Sequence, residues 1–272
     1  MTPSSVEFLR TFGFIVLRQF FDPEPLAAEV EKVTSNGLVS PVARTGGIHF
    51  QYVPMMTAET PVSLSLLDRS AAAAEALLTG PVLPTRAKGT LYRGNSPWHT
   101  DSESPIASIG FIAYLESLEA ENGALRVLPG SHRQEHGDAI RALGATGMPA
   151  PALPSHVIET QPGDMIVIEE HLFHASFGGG LRRQWRVDYL PVPMDADAER
   201  QTKAYFEGIY PADWDGGYDV NRYPSYGSDW RHSGRPSAAQ LERLGVYDLA
   251  ARQEAFAQSK YDASPDKMHG NT

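Results

Sequence analysis

Residues 82–192 restrict the fold more than any other part of the chain, because short apolar runs alternate there with turn residues. Residues 106–115 form an almost wholly apolar run with β-branched and aromatic members, which is typical of a core strand. Residues 156–160 and 165–169 flank the sequence Gln-Pro-Gly-Asp, in which proline followed by glycine favours a type II turn, so we predict a hairpin. Short antiparallel strands with turns at this density predict a β-sandwich or a jelly-roll barrel.

Helical patterns lie on either side of these strands. Before residue 82, one helix is predicted from Asp22-Pro23 to Gly37 and another from Thr60-Pro61 to Gly80, each with proline at its first turn. After Pro193 the chain is irregular and aromatic, and a helical pair follows at roughly residues 237–258. We therefore predict a single, mainly β domain. Its jelly-roll core spans about 82–192, its N-terminal helical flank 1–81, and its C-terminal extension 193–272, a candidate lid.

The composition excludes several classes of protein. Among 272 residues 42% are hydrophobic, which is enough for a substantial core. A net charge of −10 argues against a nucleic-acid partner. Because no basic segment precedes an apolar run and no long apolar stretch occurs, we expect a cytoplasmic protein with a small-molecule partner and no membrane association. Cysteine is absent, so any metal must be held by histidine and carboxylate side chains.

A histidine and an aspartate stand just before the strand at 106–115. Side chains in an extended segment alternate with period two, so His99 and Asp101 point to the same face. His174 follows the strand at 165–169, and in a jelly roll these two strand ends can meet at one mouth of the barrel, a usual place for a ligand site. Two imidazoles and one carboxylate on one side of a metal leave coordination positions open, which is diagnostic of non-haem Fe(II) oxygenases.

Other interpretations of these histidines are open at this point. From spacing alone, His99 and Asp101 could be an ordinary hydrogen-bonded pair. His171 competes with His174 as the third ligand, and His132 is interpreted as a structural turn residue.

Four motifs together resemble the phytanoyl-CoA dioxygenase-like (PhyH) family. They are Trp98-His-Thr-Asp101, Asn122-Gly-Ala-Leu-Arg-Val-Leu-Pro-Gly-Ser-His132, Pro162-Gly-Asp164 and Phe173-His-Ala-Ser176. The resemblance covers roughly residues 10–192. It implies an oxygenase that depends on Fe(II), 2-oxoglutarate and O₂, built on a double-stranded β-helix, the cupin-like jelly roll. It also implies that His99, Asp101 and His174 are the iron ligands.

The same resemblance predicts an arginine early on the strand after His174, binding the far carboxylate of 2-oxoglutarate. A planar guanidinium can pair with a carboxylate through two parallel hydrogen bonds. Arg183 fits this role best, with Ser176 supporting the same carboxylate. The other candidates for the cosubstrate are Arg182, Arg186 and Arg93. The link at residues 177–180 departs from the Asn-x-Ser that the family often has there.

The predicted reaction is hydroxylation of an unactivated C–H bond of a small metabolite or natural-product intermediate, with release of succinate and CO₂. Asp101 argues against a halogenase, in which a small residue replaces this ligand, whereas desaturation, ring formation and demethylation are alternative outcomes. Segments 44–56 and 205–231 are the candidate walls of the substrate pocket. The candidate substrate-binding residues are Arg126, Arg44, Tyr92, Trp98 and Tyr226.

Several arginines stand out in this acidic chain, and we hypothesise that some of them converge on an anionic substrate. They are Arg44, Arg93, Arg126, Arg222 and Arg231. Two function classes compete with the oxygenase. One is a metal cupin enzyme that needs no 2-oxoglutarate, and the other is a non-catalytic jelly-roll protein that binds small molecules.

Overall fold

Two antiparallel sheets form the core of the computed structural model, which describes residues 2–39, 49–146, 152–210 and 217–263. The strands are β1 (Phe14–Leu17), β2 (His49–Pro54), β3 (Val82–Pro84), β4 (Lys88–Arg93), β5 (Ser96–His99), β6 (Ile109–Tyr114), β7 (Leu125–Val127), β8 (His156–Ile158), β9 (Met165–Glu169), β10 (His174–Ser176) and β11 (Leu181–Pro191). The helices are α1 (Pro3–Phe12), α2 (Pro23–Gly37), α3 (Pro61–Leu78), α4 (Gln134–Ala145), α5 (Ala196–Ile209), α6 (Ser228–Arg231), α7 (Pro236–Arg243) and α8 (Val246–Asp262).

The larger sheet runs in the order β1-β9-β6-β11-β4-β2, with β3 paired to β11, and the smaller sheet in the order β5-β10-β7-β8. All strand pairings among the described residues are antiparallel. Apolar side chains from both sheets meet in one buried cluster, for example Ile112 and Ile166 against Leu125 and Val127. The prediction of a mainly β, jelly-roll core with flanking helices is therefore confirmed.

The flanking helices begin where the sequence predicts. Asp22 is the N-cap of α2, and its carboxylate accepts a hydrogen bond from the backbone N–H of Glu24. Helices α2 and α3 supply Val30, Val33 and Leu67 to the main hydrophobic cluster, which also takes in the outer face of the larger sheet. No helix within the described ranges is both long and apolar enough to cross a membrane.

The C-terminal extension belongs to the same hydrophobic cluster. Phe206, Tyr223 and Trp230 are almost completely buried, and they pack with residues of α2 and α3 in that cluster. Its predicted use as a lid stays a prediction.

The predicted hairpin at residues 156–169 is wrong, although the turn within it exists. The backbone N–H of Asp164 donates to the carbonyl of Gln161, and Gly163 has a φ of 101°. The two strands on either side nevertheless belong to different sheets, since β8 pairs with β7 and β9 pairs with β1 and β6. The carboxylate of Asp164 holds this crossing in place by accepting hydrogen bonds from Arg18 and from the backbone of Gln19.

Strand β11 separates the helical side of the larger sheet from the barrel interior. Trp185 and Tyr189 face the helices, where Trp185 donates to the hydroxyl of Ser63 and Tyr189 donates to the carbonyl of Leu67. Because side chains alternate along a strand, the even-numbered residues of β11 face inward. The inward series is Arg182, Gln184, Arg186 and Asp188. This polar row runs along the interior of the barrel.

Candidate active site

The smaller sheet brings His99 and His174 together, because they are directly paired across β5 and β10. Nε2 of His99 lies 3.5 Å from Oδ1 of Asp101, and Nε2 of His174 lies 3.4 Å from Oδ2 of the same carboxylate. The two imidazole ring centres are 4.2 Å apart. The three potential ligand atoms all lie within 4.8 Å of one another, so they could hold a single metal ion between them.

Both histidines have the tautomer that a metal requires. Nδ1 of His99 lies 2.7 Å from the carbonyl oxygen of Pro97, and Nδ1 of His174 lies 2.9 Å from that of Leu172. A carbonyl oxygen only accepts, so each Nδ1 carries a proton and Nε2 is the nitrogen through which each ring would bind a metal. Backbone carbonyls therefore orient both rings with their basic nitrogens toward Asp101, as expected of metal-binding histidines.

Asp101 is held ionised between these rings. Burial alone would raise the pKa of its carboxyl group, but Arg186 and His174 hold that pKa well below its usual range. Nη2 of Arg186 donates to Oδ2 of Asp101 at 2.8 Å, and the backbone N–H of Asp101 donates to the carbonyl of Glu170 at 2.8 Å. Both the side chain and the backbone of this residue are thus fixed.

A small cavity lined by the three residues extends into the barrel. The side chains that line it beyond the triad include Tyr92, Tyr114, Ser176, Arg182, Gln184 and Arg186. Arg182 is 3% exposed, and its Nη1 donates to the hydroxyl of Ser176 and to the carbonyl of Gly123 at 2.9 Å. Its Nη2 donates to the carbonyl of Gly94 at 2.7 Å.

These contacts use three of the five N–H donors of Arg182. Its buried Nε has no hydrogen-bond partner among the described residues, and Nη2 keeps a second hydrogen. Since a buried unpaired donor is costly, the arrangement favours a ligand that accepts from both nitrogens. A carboxylate has the matching geometry.

The side chain of Arg183, the candidate preferred from the sequence, lies outside this pocket. Its Nε donates to Oε1 of Glu116 at 2.7 Å and its Nη1 pairs with Oε2 of Glu31 at 3.2 Å, so its side chain lies on the outer face of β11. Alternation along the strand turns Arg182 and Arg186 inward instead. Ser176 lies in the pocket as predicted, whereas Arg93 is exposed and does not line it.

Of the candidate substrate residues, Tyr92 lines the cavity and three others do not. Arg126 alternates with the inward-facing Leu125 and donates outward to the carbonyl of Ala120 at 3.0 Å. Trp98 packs edge-on against Phe177. Tyr226 is buried in the C-terminal extension, where its hydroxyl accepts from Tyr210. Arg44 lies outside the described residues.

The hypothesis of arginines converging on an anion fails for the described ones. Arg222 pairs with Glu59 at the surface, and Arg231 lies over the ring of Tyr247. The competing histidine is also accounted for, since His171 bonds to Glu169 and to the carbonyl of Ser104, away from the triad. His132 bonds to the carbonyl of Arg10, in keeping with the interpretation as a structural residue.

Sequence reasoning missed an ionic cluster around Arg186, the hydrogen-bond partner of Asp101. Arg186 donates to Asp188 at 2.7 Å and to Glu170 at 3.2 Å, and Lys88 lies 3.7 Å from Asp188. Burial, reinforced by Asp188, raises the pKa of Glu170 to about 7, and burial lowers the pKa of Lys88 to about 8. The sequence contains one sign of this cluster, because polar residues recur at every second position from 182 to 188.

Comparison with known proteins agrees with this arrangement. The sequence model of the family described as phytanoyl-CoA dioxygenase (PhyH) matches residues 9–183, and no curated protein matches the chain. AviO1 from Streptomyces viridochromogenes Tue57 is 23% identical and superimposes over 69% of this chain and 93% of its own, with a TM-score of 0.54.

Two further solved structures have the same fold. HygX from Streptomyces hygroscopicus, with nickel and 2-oxoglutarate bound, is 18% identical over 70% of this chain and 87% of its own, with a TM-score of 0.52. The carbocyclase SnoK from nogalamycin biosynthesis is 16% identical over 74% and 90%, with a TM-score of 0.55. At these sequence identities, the similarity to the three solved structures shows only that this chain has the same fold.

Proposed function

This chain belongs to the phytanoyl-CoA dioxygenase (PhyH) family, and on that premise we propose that it is an Fe(II)- and 2-oxoglutarate-dependent oxygenase acting on a small molecule. The observation that carries the proposal is the meeting of His99, Asp101 and His174 beside the buried pocket of Arg182. The nickel and 2-oxoglutarate held by HygX support the same pair of ligands here.

The residues present fit a ferrous ion. The Nε2 lone pairs of His99 and His174 and the ionised carboxylate of Asp101 would bind one face of the metal and leave the others open. Arg186 neutralises Oδ2 of Asp101, which leaves Oδ1 for the metal. When bound, the ion together with 2-oxoglutarate and O₂ supplies an oxidant that takes a hydrogen atom from the substrate, with release of succinate and CO₂.

The protein's own part is to bind and orient the cosubstrate and to exclude water. Arg182 would bind the far carboxylate of 2-oxoglutarate through Nε and Nη2, the two nitrogens with donors to spare. Ser176 fixes the guanidinium from the other side. This assignment replaces Arg183, and it keeps Arg186 in a second role, as the partner of Asp101.

Hydroxylation of a C–H bond is the proposed outcome, since an aspartate occupies the position that halogenases leave open. The substrate would approach the open face of the metal within this pocket, which Tyr92 and Arg186 also line. Because Arg186 is already balanced by Asp101, Glu170 and Asp188, we do not expect it to be the anchor of an anionic substrate.

Succinate release tests the proposal. Purified protein would be incubated with Fe(II), ascorbate and 2-oxoglutarate in air, with a panel of small molecules, and both succinate and oxygenated products would be measured. We expect substrate-stimulated succinate release that Asp101→Ala abolishes. Metal-dependent turnover of a substrate without 2-oxoglutarate would instead identify a metal cupin enzyme, and ligand binding without metal or turnover would identify a binding protein.

A further inference from the structure

Tyr205 connects the C-terminal extension to the metal ligands. It lies on α5, beyond the end of the family match at residue 183. Its side chain is 6% exposed, and its hydroxyl donates to Oε2 of Glu170 at 2.6 Å. The extension therefore contributes a hydrogen-bond donor to the interior of the barrel.

Glu170 is attached to Asp101 in two ways. Its backbone carbonyl accepts from the N–H of Asp101 at 2.8 Å. Its Oε1 accepts from Nη2 of Arg186 at 3.2 Å, and the same nitrogen donates to Oδ2 of Asp101 at 2.8 Å. A continuous chain of hydrogen bonds thus runs from Tyr205 through Glu170 and Arg186 to Asp101.

The hydroxyl of Tyr205 affects how strongly Arg186 binds Glu170 relative to Asp101. Glu170 is 2% exposed, so water cannot replace a lost donor, and a carboxylate without that donor would attract Arg186 more strongly. Any movement of the guanidinium toward Glu170 weakens its bond to Oδ2 of Asp101. Partners of this kind orient a ligating carboxylate, and their loss typically costs about 10- to 100-fold in metal affinity.

We infer that Tyr205 is a positioning residue for the metal site, acting on Asp101 through Glu170 and Arg186. The inference rests on the proposed function in one respect, because it takes Asp101 as a metal ligand. It makes the C-terminal extension part of the active site, although none of the extension's described residues lines the cavity next to the triad.

The test compares Tyr205→Phe with Tyr223→Phe in the full-length protein. Both changes remove one hydroxyl from a buried tyrosine of the extension, but the hydroxyl of Tyr223 has no hydrogen-bond partner among the described residues. Co(II) binding would be measured by calorimetry and by the ligand-field absorption of the bound ion. We expect Tyr205→Phe to bind Co(II) about 10-fold or more weakly and with a shifted spectrum. Tyr223→Phe should match the unaltered protein within about twofold.

Glu170→Gln supplies a second variant, which interrupts the same chain of hydrogen bonds at its centre. This change removes the charge that competes with Asp101 for Arg186. We therefore expect Tyr205→Phe to cost less Co(II) affinity when it is added to Glu170→Gln than when it is made alone. Additive losses would mean that Tyr205 does not act through Glu170, which would overturn the inference.

Two further results would also overturn it. One is a Tyr205→Phe protein that binds Co(II) within twofold of the unaltered protein and with the same spectrum. The other is an equal loss in Tyr223→Phe, which would reduce the effect to a general loosening of the core. If the unaltered protein bound no Co(II), the proposed function would fail first, and the inference with it.

Discussion

Arg182→Lys tests whether the inward-facing arginine binds 2-oxoglutarate. The guanidinium offers the far carboxylate two charge-assisted hydrogen bonds, each contributing about 1.5–3 kcal/mol. Lysine keeps the charge but loses the planar pair of donors, so we expect a loss of about 2–4 kcal/mol. This corresponds to roughly 30- to 1,000-fold weaker binding of 2-oxoglutarate. The assay is an anaerobic titration of the Fe(II)-loaded protein, following the absorption of the keto-acid chelate.

The neighbouring residue provides a matched control. Arg183→Lys alters the same strand, but its side chain pairs with Glu116 on the outer face, so affinity for 2-oxoglutarate should stay within about twofold. 2-Oxobutanoate, which lacks the far carboxylate, provides a second control. It should bind the unaltered protein weakly and Arg182→Lys equally weakly, which also shows that the variant is folded. Equal losses in the two lysine variants, or an Arg182→Lys protein that still prefers 2-oxoglutarate to 2-oxobutanoate, would refute the reasoning.

Three further changes give measurable outcomes. Gly123→Ala should weaken 2-oxoglutarate binding at least about tenfold in the same titration, because its Cβ would collide with Nη1 of Arg182 and the φ of 105° disfavours a side chain. Lys88→Met should flatten the pH dependence of stability. In the folded protein the pKa of Lys88 is about 8, below the usual 10.5, so the unfolded chain binds more protons between these two values. The free energy of unfolding of the unaltered protein should therefore rise by about 2 kcal/mol from about pH 7.5 to about pH 9.5. Urea unfolding at each pH measures it. Asp164→Ala should lower the free energy of unfolding by about 2–4 kcal/mol, because three partly buried hydrogen bonds are lost. Arg18→Ala, at the exposed end of the same ion pair, should cost under about 1 kcal/mol.

The sheet architecture and the metal triad could be predicted from the sequence because both depend on local periodicity. The apolar run at 106–115 gave β6, and the spacing of His99 and Asp101 on an extended segment put both on one face. The motif order around His174 then supplied the partner strand, which pairs with β5 in the structure.

Arg183, the predicted candidate, is one residue away from the inward-facing Arg182, and a shift of one residue on a strand reverses the face. The link at residues 177–180 departs from the Asn-x-Ser that the family often has there, so the motif did not decide among the neighbouring arginines. The alternation with Trp185 was the better guide, since a large apolar side chain between polar ones marks the face turned toward the helices. That reading selects Arg182 and Arg186 for the interior.

Long-range pairing accounts for the other errors. A turn of the Pro-Gly type can join strands of one sheet or of two, and here the partner of β9 is β1, from the far N-terminus. The ionic cluster of Arg186, Glu170 and Asp188 draws on β11 and on the segment before His174. No local pattern links these positions to Tyr205, whose role depends on where α5 packs.

Metal and cosubstrate binding at the triad is the central claim, and one anaerobic titration tests it most directly. The account predicts that the protein binds one Fe(II) per chain, that adding 2-oxoglutarate produces the visible absorption of a keto-acid chelate, and that His174→Ala removes both. A protein that binds no iron, or one whose chelate absorption survives the loss of His174, would contradict it.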